Sequence, residues 1–503
     1  MKKIFKNVGG ALMFAAALVF TSCDGFKSFI DNPVSSYLEV NPESVTLKVG
    51  EEKALEVTTI SDQPISYKSS NEDVATVDEK GVITAVSEGD AIITVSVAST
   101  DTYAAGMKQV QVKVVPAIDP ILTTPLTIEA KAENGAKVML RKNSTSLELK
   151  TIKYKKSTDT SWKDYEFDDK TGAGAEISLN QGESVSFWSN NATLGREGGW
   201  WPYYSYFSIS DECYVYGNVM SMIDDQEGAT AENPKFSTDE EIGASYALCY
   251  LFQGCTKILN HESKELVLPA TKLEDYCYAG MFTSCAKLTK APELKAETLA
   301  NYCYQSMFSG CTSLTKAPEL KAETLKDNCY QRMFSGCSSL TEAPELKAET
   351  LTPGCYGSMF SGCSSLTKAP DLKAKTLTRY CYSGMFNGCS SLTEAPEIAA
   401  ETVAPYCCQS MFAWCTSLTK APVLKAKTLE AACYNAMFQF CRKLGSLTCL
   451  ATDISADYCV AAWLGSAGSQ VEGDKILYVA PSMTEANWQF PTSVVWKAAP
   501  AVN

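Results

Sequence analysis

Apolar residues recur along the C-terminal half of the chain with a constant period. The dipeptide Met-Phe begins at Met281 and returns every 26 residues up to Met437. An imperfect copy precedes the series at Leu251-Phe252, and a degenerate copy follows it at Trp463-Leu464. Fixed periods of about 20–50 residues mark solenoids, in which each unit buries its apolar face only against its neighbours. The sequence therefore predicts one stack of coils over residues 237–465.

Two apolar stripes within one unit predict a short helix. Cys329, Met333 and Cys337 are spaced at i, i+4 and i+8, and Tyr330 and Phe334 form a second i, i+4 pair beside them. Side chains four residues apart lie on the same face of an α-helix. We therefore expect one helical turn in each coil, with its inner face toward the core.

The rest of each unit alternates between apolar and polar residues, as an extended segment buried on one side would. Leu346, Ala348 and Leu351 alternate loosely with Lys, Glu and Thr, and Pro344 removes a backbone donor, which should interrupt or bend the ladder between coils. One extended segment and one helical turn per coil predict a leucine-rich-repeat solenoid of the α/β class, with 26-residue coils.

Two cysteine positions recur along the stack, one with eight cysteines and the other with seven. One carries Cys329 and its equivalents, and the other carries Cys337 and its equivalents. Both belong to the apolar stripe, where free cysteine behaves as a small hydrophobe, so ladders of buried thiols are the favoured interpretation. Disulfides between or within coils, and soft-metal binding by the Cys-Met-Cys stripe, remain alternatives. We expect no metal site and no cofactor.

The repeated motif F-x-x-C-x-S-L, followed by a short segment that contains proline, resembles the BspA-like class of bacterial leucine-rich repeats. In the unit that begins at Met333 it is carried by Phe334, Cys337, Ser339 and Leu340. The resemblance covers roughly 210 residues. It implies adhesion to host or microbial surface molecules, although a fold by itself hosts many functions.

The first 22 residues are typical of a secretory signal. Lysines at the start precede an apolar run from Ala11 to Phe20, and small residues follow before Cys23. The segment from Phe20 to Cys23 resembles a bacterial lipobox, with Phe20 in place of the usual leucine. The resemblance implies a lipoprotein signal peptide at 1–22, lipid attachment at Cys23 and a lipidated tether at 23–36. We expect a membrane-anchored protein of the cell envelope, on the outer membrane and exposed at the surface; ordinary secretion is the alternative.

An all-β domain is predicted over residues 37–116, because apolar and polar residues alternate with a period of two, and glycine or aspartate turns separate the alternating runs. The segment from Tyr67 to Gly89 resembles the group-two bacterial immunoglobulin-like domain, and Leu38 to Ile60 predicts two strands around a turn at Gly50. A second β-sandwich is predicted at 125–235, before the solenoid, and a C-terminal cap at 466–503.

Two sets of residues are candidates for ligand contact. The first lies on a Gly- and Pro-rich stretch predicted to be a loop, where aromatic faces could stack on sugar rings. Alternatively, they could fill the sandwich core or its contact with the first coil. Its members are Trp200, Trp201, Tyr203, Tyr204 and Tyr206. The second set varies from coil to coil and should lie on the outer surface of the solenoid. Its members are Arg332, Arg379 and Tyr380.

Composition excludes several classes of function. A net charge of −14 argues against non-specific binding of nucleic acid, and a single histidine, His261, excludes most His-based catalytic sites. No nucleophile elbow, P-loop or dinucleotide-binding fingerprint is present, so we expect no catalytic residues and no enzyme. The favoured function is a surface lipoprotein that presents its repeats to a protein or glycan ligand. Carbohydrate capture by the aromatic segment and a purely structural envelope role are the alternatives.

Overall fold

A computed structural model describes residues 35–115, 120–199, 201–236, 241–484, 488 and 496–500. The signal segment and Cys23 lie outside the described residues. The chain divides into two compact units, Met1–Pro120 and Ile121–Asn503. Among the described residues, the helical elements are α1 (Pro120–Thr123) and a 3-10 turn, η1 (Val219–Met222), with one further 3-10 residue at Phe236, so the described part is all-β. No helix in that part is long and apolar enough to span a bilayer.

The first unit contains nine short strands with a core of its own. They are β1 (Glu39–Asn41), β2 (Ser44–Lys48), β3 (Glu52–Ala54), β4 (Glu56–Thr58), β5 (Ile65–Ser69), β6 (Ala75–Val77), β7 (Val82–Ala85), β8 (Gly89–Val97) and β9 (Gly106–Val115). The main sheet has the order β2-β9-β8-β5, and β3-β7-β6 and β1-β4 form smaller sheets. Ile93, Val95 and Val110 are fully buried between them. The prediction of two strands around Gly50 was too coarse, because four strands, β1 to β4, occupy that stretch.

The second unit begins with a pair of sheets. Its strands are β10 (Thr127–Ala130), β11 (Ala136–Lys142), β12 (Ile152–Lys156), β13 (Lys163–Asp164), β14 (Ile177–Leu179), β15 (Ser184–Ser189), β16 (Gly195–Arg196), β17 (Tyr203–Ile209) and β18 (Cys213–Asn218). One sheet runs β13-β12-β15-β10-β18 and the other β14-β11-β17-β16. The prediction of a loop at Tyr203–Phe207 was wrong: these residues lie in β17, which pairs with β11.

The first of these sheets continues directly into the stacked coils. Strand β18 pairs in parallel with β19 (Ile258–Asn260) and β20 (Leu266–Val267), which belong to the first coil. Most later coils meet on this side through isolated parallel bridges, such as Leu372 to Ile398. At the far end, β21 (Val423–Leu424), β22 (Ser446–Cys449), β23 (Lys475–Val479) and β24 (Trp496–Pro500) form a continuous parallel sheet. One hydrophobic core extends from the sandwich through all the coils.

The opposite side of each coil is a run of overlapping turns, here called the turn segment. In the segment from Tyr302 to Cys311, alternate N–H groups bond to the carbonyl three residues earlier; Met307 N–H, for example, donates to Tyr304 at 3.2 Å. The intervening N–H groups donate to the next coil; Tyr304 N–H bonds to Cys329 O at 3.0 Å. Each coil therefore bonds to its neighbour through the backbone.

The predicted helix, and with it the α/β class, is therefore wrong. Every fourth residue of the turn segment has a left-handed backbone, with φ of 57° at Tyr302, 55° at Ser306 and 74° at Gly310. A right-handed helix cannot accommodate such residues, and it would keep all its N–H groups inside one coil. Because the turn run also repeats every four residues, it buries the same i, i+4 stripes that a helix would: Met307 and Phe308 are fully buried.

Candidate ligand-binding surface

The aromatic segment near residue 200 divides into exposed and buried members. Trp200 lies outside the described residues. Trp201 is 77% exposed, which is the largest exposed fraction among the described large hydrophobic side chains. Tyr203 is half-buried, with the Arg196 guanidinium 4.9 Å from its ring centre. Trp201 is therefore the described member of this set whose aromatic face is open to solvent.

Tyr204 and Tyr206 contribute to the contact between the sandwich and the first coil. The Tyr204 ring lies 4.6 Å from that of Tyr250 at a tilt of 37°, and its hydroxyl donates to Gln253 Oε1 at 2.9 Å. The Tyr206 ring is 5.9 Å from Tyr204. Phe207, next in sequence, stacks 5.3 Å from Phe252 of the first coil. The alternative interpretation, that this segment packs against the first coil, describes these residues better than a sugar platform does.

The first position of the turn segments forms a column along the stack, here called the tyrosine column. Its members are Tyr246, Tyr276, Tyr302, Asn328, Gly354, Tyr380, Tyr406, Ala432 and Tyr458. The rings of Tyr246, Tyr276 and Tyr302 stack almost parallel, 4.8 and 4.5 Å apart. Burial, together with the two neighbouring tyrosines, raises the pKa of Tyr276. The column is therefore an ordered surface feature whose aromatic row is interrupted at Asn328 and Gly354, and again at Ala432.

Beyond the interruption, the tyrosine column carries a positive charge. The rings of Tyr380 and Tyr406 stack 4.9 Å apart, and the Arg379 guanidinium lies 5.1 and 5.4 Å from their centres. Arg379 Nη2 also donates to the Tyr380 hydroxyl at 3.5 Å, a contact that raises the pKa of Arg379. The structure thus brings two of the three predicted repeat-surface residues together. Arg332 is also exposed, but it belongs to an earlier turn segment.

Sequence reasoning missed a second aromatic pair on the same side of the stack. Trp414 and Phe440 occupy the last left-handed position of their turn segments, where all earlier coils but the one with Ser284 carry glycine. Their ring centres are 4.0 Å apart. Trp414 is 45% exposed. Gly388 precedes Trp414 in this column, and a Cβ there would meet only ordinary contacts of 3.6 Å. Aligning the 26-residue units would have shown both aromatics replacing glycine.

The extended side of the stack presents charges of both signs instead of aromatic rings. Lysine of one coil pairs with glutamate of the preceding coil in three successive interfaces, at 2.8–2.9 Å. The pairs are Lys321–Glu293, Lys347–Glu319 and Lys373–Glu345. An open cavity of about 560 Å³ lies where the 259–265 loop overhangs the second and third coils, with Lys316 and Glu319 on one wall. Its mixed charges favour neither an anionic nor a cationic ligand.

The only histidine lies at this overhang, between the sandwich and the first coil. His261 Nε2 is 4.0 Å from Glu129 Oε1, and Lys264 Nζ and the Tyr216 hydroxyl both donate to Glu129 Oε2 at 2.9 Å. Burial opposes the charge of Glu129, but the hydrogen bonds from Lys264 and Tyr216 outweigh it and hold its pKa below the ordinary value. These contacts join the 259–265 loop to the sandwich, so we interpret them as a structural network.

Twenty cysteines in the described residues are buried and unpaired. Burial raises the pKa of Cys311, Cys363 and Cys415 to about 12, so these thiols are protonated at neutral pH. Among the described residues, no group of three or more His, Cys, Asp or Glu side chains could hold a metal ion. The arrangement suits packing better than thiolate chemistry.

Comparison with known proteins identifies the first unit only. Residues 36–105 match the bacterial Ig-like domain (group 2) family. The match supports the immunoglobulin-like assignment of the N-terminal domain, and it covers a small part of the chain. None of the curated proteins matches this sequence.

Proposed function

We propose that this protein is a non-enzymatic lipoprotein of the cell surface that presents the outer side of its turn segments for adhesion to host or microbial surface molecules. The observation that carries the proposal is the surface row formed by Arg379 and Tyr380, which are exposed, and Tyr406, which is half-buried. Aromatic and arginine side chains dominate the energetics of protein recognition sites. Trp414 adds a further exposed ring on the same side of the stack.

The resemblance of F-x-x-C-x-S-L to BspA-like leucine-rich repeats belongs to this proposal and supports the adhesive role. Turn segments take the place of helices, but the exposed positions still repeat coil after coil. Such a surface is long and regular, and it suits a protein or a polymer better than a small molecule. The bacterial Ig-like domain would then act as a spacer between the membrane anchor and the repeats.

The repeat surface is tested by measuring binding of the mature protein to a panel of immobilised extracellular-matrix proteins and to a glycan array. Tyr380→Ala combined with Tyr406→Ala should weaken binding at least about tenfold, since loss of an interface aromatic commonly costs more than 1 kcal/mol. Met107→Ala, which changes a 67% exposed side chain of the first unit, is the matched control. Binding unchanged by the double substitution contradicts the proposed surface, and no binding at all favours a structural envelope role.

The anchor is tested separately. Cys23→Ala should move the protein from the membrane to the soluble fraction of the producing cell. Membrane attachment that survives Cys23→Ala contradicts the lipoprotein assignment without affecting the adhesive surface.

Carbohydrate capture is the second candidate, and it is favoured by the exposure of Trp201. It predicts that Trp200→Ala together with Trp201→Ala abolishes binding on the glycan array. The Tyr380→Ala and Tyr406→Ala variant should leave that binding intact. Glycan binding that survives loss of both tryptophans removes this candidate.

A further inference from the structure

The loop that overhangs the cavity of about 560 Å³ interrupts the regular repeat. The imperfect dipeptide copy at Leu251 precedes the next copy, at Met281, by 30 residues, whereas later copies are 26 residues apart. Leu268 already bridges to Leu294 at the regular spacing, so the four extra residues lie before it, in the stretch that contains the 259–265 loop. Insertions in a repeat map to loops on one face of a solenoid, which is often the functional face. The loop is therefore a candidate for a role that the regular coils do not have.

Both ends of this loop are fixed to the surrounding structure. At one end, Asn260 Oδ1 accepts the N–H groups of Thr289 and Lys290 at 3.0 and 2.9 Å. At the other end, Glu265 O accepts the N–H of Gly217 at 2.8 Å, and the Glu265 carboxylate pairs with Lys290 Nζ at 2.8 Å. The four residues between these ends form a strap beside the cavity, and their hold on the structure is a separate matter.

The ring of His261 holds the middle of the strap. Its Nδ1 accepts the backbone N–H groups of Ser263 and Lys264 at 3.1 and 3.2 Å. An imidazole nitrogen that accepts hydrogen bonds carries no hydrogen, so we assign the hydrogen of the neutral ring to Nε2, which is 4.0 Å from Glu129 Oε1. The two backbone bonds therefore require the neutral form of the ring.

The groups around the His261 ring come from β10, β18 and the loop itself. Glu129 of β10 supplies a carboxylate, and the rings of Tyr214 and Tyr216 of β18 lie edge-on at 4.9 and 5.4 Å. Lys264 Nζ donates to Glu129 Oε2 at 2.9 Å and to the Tyr216 hydroxyl at 3.1 Å. The His261 side chain is 16% exposed, so a proton from the solvent can reach it.

We propose that the 259–265 loop is a pH-sensitive strap, closed while His261 is neutral and released between its fixed ends when the ring takes up a proton from the solvent. The proton binds Nδ1, which then donates instead of accepting, so the N–H groups of Ser263 and Lys264 lose their acceptor. Rotation of the ring cannot restore one, because both nitrogens then carry hydrogen. The imidazolium also competes with Lys264 for Glu129. Histidine is the side chain whose charge ordinarily changes between pH 5 and 8, so release falls in that range.

The first test observes the ring nitrogens directly. His261 is the only histidine of the chain, so protein with ¹⁵N-labelled histidine and no histidine tag gives ring signals from this residue alone. At pH 8 the nitrogen chemical shifts should show hydrogen on Nε2 and a bare Nδ1, and at pH 5 both nitrogens should carry hydrogen. Hydrogen on Nδ1 at pH 8, or a ring still neutral at pH 5, overturns the proposal.

The second test measures release of the strap by amide hydrogen exchange. Rates are divided by those of an unstructured peptide of the same sequence at the same pH. Protection of the Ser263 and Lys264 amides should fall at least about tenfold from pH 8 to pH 5, because each loses its acceptor. The amides of Gly217 and Lys290, which bond to the fixed ends, should stay protected. Unchanged protection in the strap, or equal loss at all four amides, overturns the proposal.

Two substitutions of His261 provide matched controls. His261→Asn keeps an acceptor that does not titrate, since an asparagine side chain bonds to backbone N–H groups two residues on, and the strap should then stay protected at both pH values. His261→Phe keeps a ring without nitrogen, and the strap should exchange rapidly at both. The Gly217 amide reports whether either variant disturbs the fold beyond the loop. A pH-dependent loss of protection that persists in a folded His261→Asn variant would assign the effect to another group and overturn the proposal.

Discussion

Individual cysteines in the stack bond to the coil that precedes them. Cys311 Sγ donates to Phe282 O at 3.1 Å, and Cys337 Sγ to Phe308 O at 3.1 Å. Phe308 O also accepts the N–H of Cys311 in its own coil at 3.0 Å. Each such thiol therefore fills a small apolar space and adds a weak bond between coils. Cysteine at this position serves packing, which explains its repetition without any redox or metal chemistry.

Thiol labelling tests this assignment. In the folded, unreduced protein at pH 7.5, iodoacetamide should leave almost all thiols unmodified, because the thiolate is the reactive form and burial raises the pKa of thiols such as Cys311 to about 12. Cys459, which is one of the residues lining an open cavity of about 410 Å³ at the last turn segment, should react first. After unfolding in guanidinium without reductant, all twenty buried cysteines should react. Rapid labelling of the folded protein contradicts the buried thiol ladders. Fewer than twenty labelled cysteines after unfolding indicate disulfides.

Glu129 gives a pH-dependent prediction at the residue scale. Its folded-state pKa is lowered, so its contribution to stability is present above the unfolded-state pKa and disappears as the pH falls through the folded-state value. Glu129→Gln should therefore reduce the unfolding free energy at pH 7 by about 1–2 kcal/mol, as expected for a partly exposed, charge-assisted pair. Once the pH is well below the folded-state pKa, the carboxyl group is protonated in both the folded and the unfolded state, and the difference should vanish.

The measurement is denaturant unfolding of both proteins at several pH values. Glu265→Gln is the control, because Glu265 and its partner Lys290 are about 70% exposed and their pair should contribute little. A Glu129→Gln effect that persists unchanged at low pH would show that packing, not the ionised carboxylate, is responsible.

At the scale of elements, the 26-residue period predicts stacking, but the period inside one coil is ambiguous. A stripe at i, i+4 and i+8 is compatible with a helix and equally with a run of turns that places a left-handed residue at every fourth position. Asn328, Arg332 and Gly336 occupy those left-handed positions, with φ of 54°, 55° and 76°. Only the glycines at these positions, which are regular at the third and occasional at the first two, gave a signal against a helix, since glycine adopts positive φ at no steric cost.

The candidate surface could be predicted only in part for a related reason. Arg379 and Tyr380 were identified because they vary between coils, but which neighbours they meet depends on register. Tyr406 and Tyr380 are 26 residues apart in sequence, and stacking places their rings 4.9 Å apart. Trp414 and Phe440 become a pair for the same reason. Residue types alone do not reveal such columns; alignment of the units in three dimensions does.

Deleting one whole repeat tests the coil as the structural unit. Removing residues 333–358 joins Arg332 to Met359 and restores the repeat, so every turn segment still meets a turn segment. Because stability of such stacks is approximately a sum of repeat and interface terms, the melting temperature should change by no more than about 5 °C. Removing residues 333–345, half of that length, places a turn segment beside an extended segment and should abolish the cooperative transition. Thermal unfolding followed by circular dichroism compares the two; similar behaviour contradicts the stacked-coil register.

At the scale of the whole molecule, the two units have separate hydrophobic cores. One core contains Ile93, Val95 and Val110 of the Ig-like domain, and the other runs from the sandwich to Trp496 at the end of the stack. A cooperative unfolding unit is defined by a shared core, so two cores predict two transitions. The larger second unit should show the steeper dependence on denaturant, since the slope scales with the surface exposed on unfolding.

Matched core substitutions in the full chain distinguish two transitions from one. Ile93→Ala and Met333→Ala both truncate fully buried side chains, in the first and second cores respectively, and each should cost about 2–5 kcal/mol. In denaturant unfolding, Ile93→Ala should lower only the midpoint of the shallower transition and Met333→Ala only that of the steeper one. Since the cores share no residues, the double variant should show the sum of the two effects. A single transition shifted by both substitutions would mean that the two units unfold as one, and the Ig-like domain could not then be treated as an independent spacer.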